Sequence, residues 1–503
     1  MASDNFLNDK IFSNHNNSER IFLETENDKI TFADFDKLTN KISNALISLK
    51  LKENDRVLVQ LEKSVISFAI FIAAIRAGCI YIPLNPSYTA SEVEYFIENS
   101  KPSLFIAEEK NTNELKRVIK SQSVKTISLN KNFSGPLVNL IEKQSAEFRP
   151  VKRSKNDIAS ILYTSGTTGR SKGAMLTHNN LVSNTIELVK LWKFDEKDIL
   201  LHALPIYHIH GLFVACNIAL MSGVKMYFFE KFDVDQVVQY LPRSTSMMGV
   251  PTFYTRLLDS DKFNEGVTKN IRIFISGSAP LLPETHNKFE SISGHKILER
   301  YGMTETNMNA SNPYDGERKA GTVGFPLPGI SIRITDVKNG DTLENENIGM
   351  IEIKGENVFL GYWEMDDETN KSFTKDNYFI TGDLGKISSD GYLTIIGRNK
   401  DLIISGGLNI YPKEIELVLD QIDQVKETAV IGVPHKDFGE AVVAVIVASG
   451  EKPSEKYVMS LIQNKLAKFK QPKKLFFIPE LPRNTMGKVQ KQVLRNNFKE
   501  IFN

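Results

Sequence analysis

Cysteine is nearly missing from this chain: Cys79 and Cys216 are the only two among 503 residues. Two thiols so far apart make no disulfide framework and no metal-ligand spacing, and they fit a reducing compartment. Charge of one sign is missing too. The 62 Lys and Arg against 61 Asp and Glu leave a formal +1, so nothing global points to nucleic acid or to an acidic partner. No long apolar run occurs. The most apolar stretch, residues 65–75, stops at Arg76-Ala77-Gly78; it is too short to span a bilayer and reads as a buried helix. The first twenty residues, MASDNFLNDKIFSNHNNSER, carry acids and amides and no apolar core, unlike a signal peptide or an Arg-rich transit peptide. These absences predict a cytoplasmic protein with no stable membrane association and no nucleic-acid partner. Two nucleotide signatures are lacking as well: there is no G-x-G-x-x-G, and no Gly-Lys-Ser/Thr of a Walker A loop.

What is present is a long alternation of apolar strands and helices. RVLVQL (56–61) reads as a strand, 64–77 as a helix, CIYIPL (79–84) as a strand, 91–99 as a helix and SLFIA (103–107) as a strand. The rhythm returns at 225–229, 233–241, 246–250 and 271–276. This βαβ grammar predicts parallel sheets covered by helices. After about Pro326 the strands become short and turn-separated (330–335, 349–353, 392–396), which predicts a small antiparallel or barrel-like region. A compact block begins near Lys400, with helices at 413–419 and 454–465 and strands at 427–433 and 441–448. Residues 451–503 hold 12 Lys and Arg against 4 Asp and Glu; a solvated face and an anion-binding surface both fit that excess.

The densest chemistry lies in Thr164-Ser165-Gly166-Thr167-Thr168-Gly169-Arg170-Ser171-Lys172-Gly173, just after the strand-like IASILY (158–163). Bare backbone N–H groups, hydroxyls and two cations are the parts that hold a polyphosphate. Alone, such a loop is equally a polar surface loop with no ligand. Three further segments accompany it: Tyr301-Gly302-Met303-Thr304-Glu305-Thr306; Thr381-Gly382-Asp383-Leu384-Gly385 followed by Gly397-Arg398-Asn399-Lys400-Asp401; and Asn484-Thr485-Met486-Gly487-Lys488. Each alone is weak, since Asp383 fits a turn, Glu305 a surface helix and Lys488 a solvated face.

Together and in this order the segments resemble the adenylate-forming superfamily of acyl-CoA synthetases, peptide-synthetase adenylation domains and luciferases. The resemblance covers nearly the whole chain. Longer segments (HALPIYHIHGLFVA, MGVPTFYTRLL, ERYGMTETNMNASNPYDGERKAGTVG, GGLNIYPKEIE, LAKFKQPKK and LPRNTMGKVQK) are most similar to malonate-activating acyl-CoA synthetases. Asn399 stands where a glycine is usual and Leu408 where an aromatic is usual; neither departure removes a functional group. The resemblance implies an α/β fold. A large N-terminal domain (1–399) would hold parallel-rich α/β/α subdomains and a small β-barrel-like region, and a small mobile α+β domain (400–503) would follow.

It also implies the reaction: Mg-ATP and a carboxylate give an acyl-adenylate and pyrophosphate, and coenzyme A then takes the acyl group. By resemblance Thr164, Ser165, Gly166, Thr167, Thr168, Gly169 and Lys172 cradle the β- and γ-phosphates. Gly277, Ser278, Ala279, Tyr301, Gly302 and Met303 surround adenine. Asp383 takes the ribose hydroxyls with help from Arg398. Glu305 is the Mg²⁺ ligand, beside Thr304 in the catalytic set, because Mg²⁺ prefers one or two carboxylates plus phosphate oxygens. Lys488 reaches in from the C-terminal block to bridge the substrate carboxylate and the α-phosphate. Lys400 is the hinge, and Ser405, Gly406 and Gly407 meet the pantetheine of coenzyme A after the domain turns.

Malonate keeps one carboxylate anionic, and a buried anion needs a cation facing it. Arg256, in a helical-looking apolar stretch, is the candidate, with His208 and Ser278 lining the pocket; a surface or interdomain salt bridge is its alternative. The expected activity is ATP-dependent malonyl-CoA synthesis, with methylmalonate as second substrate. The rivals are a synthetase for another short or aryl acid, a carrier-loading adenylation domain, and a non-catalytic adenylate sensor. Asp437-Phe438-Gly439 imitates a kinase motif, but the H-R-D loop and glycine-rich lid that would accompany it are missing.

Overall fold

The computed structural model describes residues 4–118, 124–131, 133–164, 171–406, 408–484 and 487–502. Among the described residues the strands form four sheets, of nine, seven, four and five strands. The two large sheets are parallel at their centres, as the βαβ rhythm predicts. In the seven-stranded sheet Arg56–Gln60 lies parallel between Ile80–Pro83 and Leu104–Ala107. In the nine-stranded sheet Ile199–His202, Ser246–Gly249, Ile273–Ser276 and Leu298–Met303 run parallel side by side.

The apolar run read as a buried helix is one. Val65–Arg76 begins at Ser64, whose hydroxyl accepts from the Ser67 N–H while Ser67 returns a bond to the Ser64 N–H. Every residue from Ile66 to Arg76 is buried, which explains an apolar pattern with no polar face. Its last residue is the costly one. Arg76 is held by Asp36 at 2.7 Å, Asn8 at 2.9 Å, Thr39 at 2.7 Å and Asn40 at 2.8 Å, so the buried guanidinium keeps its hydrogen bonds.

The short strands after Pro326 form an antiparallel sheet, with Gly349–Lys354 and Phe379–Ile387 inside and Ser331–Thr335 and Leu393–Arg398 at the edges. Its order is open, so the barrel-like expectation is corrected: four short strands pair without closing. The last sheet draws its strands from Ile403–Ser405 to Lys474–Phe477 only. Its long hairpin, Val425–His435 with Gly439–Ala448, carries apolar clusters on both faces.

These sheets bring the motifs to one cleft. The Thr164–Gly173 segment starts at the end of the strand Ile158–Thr164. That strand pairs antiparallel with Lys172–Thr177, setting Thr164 opposite Lys172. Residues 165–170 lie outside the described residues.

Candidate active site

Asp383 is fixed before any ligand arrives. It pairs in register with Arg398 across two antiparallel strands, and Arg398 Nε lies 2.7 Å from Asp383 Oδ1. Tyr301 donates its hydroxyl to Asp383 Oδ2 at 2.6 Å. The Asp383 N–H donates to Thr381 Oγ1 at 3.0 Å, and Thr381 is tied to the Ile351 carbonyl at 2.8 Å. Gly382 supplies the positive φ of +71° that turns the carboxylate out of the strand. Burial and the neighbouring Asp383 push the Tyr301 phenol well up, so it stays a donor. A rigid carboxylate with a cation beside it suits a vicinal diol.

Glu305 is not the surface helix acid that its sequence allowed. It sits in the turn between strands Leu298–Met303 and Asn307–Ser311, next to half-buried Thr304, and is 7% exposed. Tyr362 donates to Glu305 Oε1 at 3.0 Å, and burial raises its carboxyl above the ordinary range. A buried carboxylate held by a neighbouring hydroxyl fits a hard cation that takes its remaining ligands from phosphates. Among the described residues no group of three acids, histidines or cysteines forms a complete cage. Lys172 lies 5.1 Å from the Tyr362 ring and pairs with Glu368 at 2.6 Å.

The strand Ile273–Ser276 ends at Gly277 and Ser278. Ser278 holds φ at +73°, a left-handed conformation that a serine adopts under constraint. Its Oγ lies 3.3 Å from His210 Nδ1. Gly277 leaves its side-chain space to Arg300: a Cβ there would stand 2.2 Å from the guanidinium carbon and displace it. Arg300 is 4% exposed, and its Nε and Nη2 have no hydrogen-bond partner. Burial pushes it down to about 9, which leaves it charged at neutral pH. His210 Nε2 is also buried without a partner, and burial with the Arg300 charge holds this imidazole far below its ordinary range. Half-buried His208 is pushed down to about 4 by burial. The site therefore gathers one buried cation, neutral imidazoles and a hydroxyl, with donors to spare for an anion.

Arg256 ends the helix Pro251–Leu258 and is exposed, so its surroundings do not force a counter-ion as an apolar stretch would have. It shares a helix face with Thr252, one turn earlier. Thr252 is where the C-terminal loop arrives: a Cβ on Gly487 would meet its side chain at 3.2 Å. Lys488 follows. It is solvent-reached, yet surrounding protein and the charges of Arg398 and Lys400 hold its ammonium below the ordinary range, with Asp383 and Asp401 opposing. The loop is braced by the Lys488 N–H donating to Asn484 Oδ1 at 2.9 Å and by Arg483 donating to the Gly487 carbonyl at 2.6 Å. Lys400 is exposed just after Arg398. Ser405 pairs with Gly439, and the Gly406 N–H donates to the Phe438 carbonyl at 2.8 Å. Gly407 lies outside the described residues.

Sequence reasoning missed Arg300 and gave His210 no role. Arg300 stands inside a motif whose other letters drew the attention, and its meaning comes from Gly277, just past the neighbouring strand, and from His210 on the helix His210–Cys216.

The malonate–CoA ligase of Arabidopsis thaliana is 35% identical over 459 residues, covering 84% of this chain and 74% of its own. ATP-bound MatB from Rhodopseudomonas palustris superposes over 100% of both chains with a TM-score of 0.96 at 48% identity. Apo MatB from the same organism, also 48% identical with full coverage of both chains, gives 0.85. The AMP-binding enzyme family matches residues 12–363, and its C-terminal domain matches 414–488. The chain therefore belongs to the AMP-binding enzyme family.

Proposed function

We propose that this protein is an ATP-dependent malonyl-CoA synthetase, an AMP-forming acid–thiol ligase. The observation that carries the substrate is Arg300, a buried guanidinium with two unpartnered nitrogens beside Ser278 and His210. A pocket for an uncharged acyl chain has no use for such a cation, whereas the second carboxylate of malonate satisfies it bidentately. Arg256, on the helix face that receives the C-terminal loop, adds a cation at the pocket mouth, and His208 lines the wall. The similarity to malonate–CoA ligase and to MatB supports the same acid.

A malonate oxygen forms a bond to the α-phosphorus as the bond to the β-phosphate oxygen breaks, and pyrophosphate leaves. The thiolate of coenzyme A then bonds to the acyl carbon as the carbon–oxygen bond to AMP breaks. In the first step Asp383, Arg398 and Tyr301 orient the ribose. Gly277, Ser278, Ala279, Gly302 and Met303 flank the base. Thr164, Lys172 and residues 165–169 receive the phosphates, Lys172 exchanging Glu368 for them. Lys488 bridges the carboxylate and the α-phosphate, where charge builds. Glu305, beside Thr304, would hold Mg²⁺, which neutralises phosphate charge when bound. For the second step residues 400–503 turn about Lys400, withdrawing Lys488 and presenting Ser405, Gly406 and Gly407 to coenzyme A. Methylmalonate is the second substrate, because a methyl branch costs only about 1–3 kcal/mol in a pocket. Among the described residues no helix is long and apolar enough to cross a membrane, and the two buried thiols suit the cytoplasm.

The test is pyrophosphate release with malonate, methylmalonate, succinate, propionate and coumarate, with and without coenzyme A. Release confined to the three-carbon diacids, with malonyl-CoA formed, is expected. Equal turnover of propionate and malonate overturns the assignment.

A further inference from the structure

A second polar cluster lies in the core behind the site. Lys63 is 7% exposed, and among the described residues no carboxylate pairs with it. Its ammonium sits 2.7 Å from His202 Nδ1, 2.9 Å from the His202 carbonyl and 4.2 Å from the centre of the Phe228 ring. Burial pushes it down to about 7. A lysine kept in such a place at this cost needs a reason.

The imidazole supplies one. His202 Nε2 lies 2.9 Å from the Gly211 carbonyl. A carbonyl can only accept, so Nε2 carries the proton and Nδ1 is left to accept from Lys63. Cys216 Sγ lies 3.5 Å from the same Nε2. Gly211 and Cys216 sit five residues apart, the spacing a π-helix closes, and both belong to the π-helix His210–Cys216. The ring therefore grips this π-helix at its first turn and at its last residue. Gly211 is pinned from the other side: a Cβ there would meet the Pro205 carbonyl oxygen at 2.1 Å. The helix carries His210, which stands 3.3 Å from Ser278. Lys63 follows the strand Arg56–Gln60 of the seven-stranded sheet, while His202 ends a strand of the nine-stranded one. The chain Lys63–His202–Gly211 thus ties the wall of one subdomain to the frame of the other.

We propose that Lys63 and His202 are positioning residues for acyl selection, fixing through the Gly211 carbonyl the π-helix that holds His210 beside Ser278. The proposal rests on the reading that this helix walls the malonate pocket. Neither residue touches substrate. Their loss loosens the wall that faces the acid and leaves the Asp383–Arg398–Tyr301 ribose corner, on other strands, as it was.

The experiment compares Lys63→Met, His202→Asn and His202→Gln by steady-state kinetics with malonate, propionate and ATP, alongside thermal melts. A glutamine amide can reach the Nε2 position and donate to Gly211; an asparagine amide reaches only the Nδ1 position. Lys63→Met and His202→Asn are expected to raise the malonate KM about tenfold and to erode the preference for malonate over propionate, with the ATP KM within about twofold. His202→Gln is expected to keep the malonate KM within about threefold of the parent. Lower melting temperatures with an unchanged malonate KM would assign the cluster to stability alone and overturn the proposal. So would an ATP KM that rises in step with the malonate KM, or indistinguishable Gln and Asn variants. The His202 pair decides the matter even where Lys63→Met fails to fold. If the parent enzyme prefers another acid, the malonate reading fails separately, and the same ratios measured with that acid still decide the positioning.

Discussion

Arg300 is the residue on which substrate choice turns. Its guanidinium is buried, and among the described residues no ion pair engages it. Removing one member of a buried, hydrogen-bonded charge pair costs about 2–5 kcal/mol. Arg300→Met is therefore expected to lower kcat/KM for malonate by about thirtyfold or more. Propionate, with no second carboxylate, should hold or gain. Steady-state kinetics with the two acids checks this, and an equal loss for both would remove Arg300 from substrate recognition. The residues legible in the sequence share one property that Arg300 lacks. Asp383, Glu305 and Lys488 each lie in a short string whose glycines, threonines and order point to a phosphate or a ribose. Arg300 lies in such a string as well, but its meaning depends on what crosses it in space. No local pattern says that a guanidinium passes over Gly277, or that His210 leaves a nitrogen free beside it.

At the scale of elements, the crossing of two parallel strands sets that arrangement. Ile273–Ser276 and Leu298–Met303 are neighbours in the nine-stranded sheet, and the first must end in a residue without a side chain where the second sends out Arg300. Gly277→Ala would place a methyl 2.2 Å from the Arg300 guanidinium carbon. The far end of a long side chain can move aside cheaply, so the melting temperature should stay within a few degrees of the parent. Recognition should not survive as well: the malonate KM is expected to rise about tenfold or more as the guanidinium shifts. Paired melts and kinetics check the split, and a wild-type KM would show that Arg300 tolerates displacement. Most elements were legible because their apolar periods are long, as in Val65–Arg76, buried from Ile66 onward. The hairpin Ile158–Thr164 with Lys172–Thr177 was not. Lys172–Thr177 hides in a run of loop-like letters, and its strand character comes from pairing with Ile158–Thr164. The π-helix His210–Cys216 was equally hidden, since its extra residue per turn answers to His202 and Pro205 and leaves no mark on hydrophobic spacing.

The whole molecule adds two constraints. The Lys488 ammonium feels the charges of Arg398 and Asp383, which belong to the four-stranded sheet. Lys488→Ala is accordingly expected to lower malonate-dependent pyrophosphate release by about a thousandfold, while thioester formation from supplied malonyl-adenylate stays within about threefold. Loss of both half-reactions would show that the loop is needed in place throughout. The second constraint is acid stability. Burial pushes His178 and His208 down to about 4, and holds His202 and His210 well below the ordinary range. In the unfolded chain each takes up a proton near ~6.5. Between roughly pH 6.5 and 4 the unfolded state therefore binds more protons, so stability rises with pH there and falls on acidification. Asp420, pushed up to about 7 by burial, runs the other way, because its folded carboxyl keeps a proton that the unfolded one releases. Glu62, Glu299 and Glu305 are also raised by burial and side with it. Five histidines are lowered, His295 among them, against these four raised carboxyls, so the histidines set the direction. The melting temperature is expected to drop steadily from pH 7.5 to pH 5. His178→Asn removes one titrating ring far from the ligands while leaving an oxygen for the Leu7 N–H, which His178 Nδ1 accepts at 3.2 Å. It should make the drop shallower. A melting temperature that is flat or rising over that interval would mean that the buried carboxyls, and not the histidines, govern the acid limb.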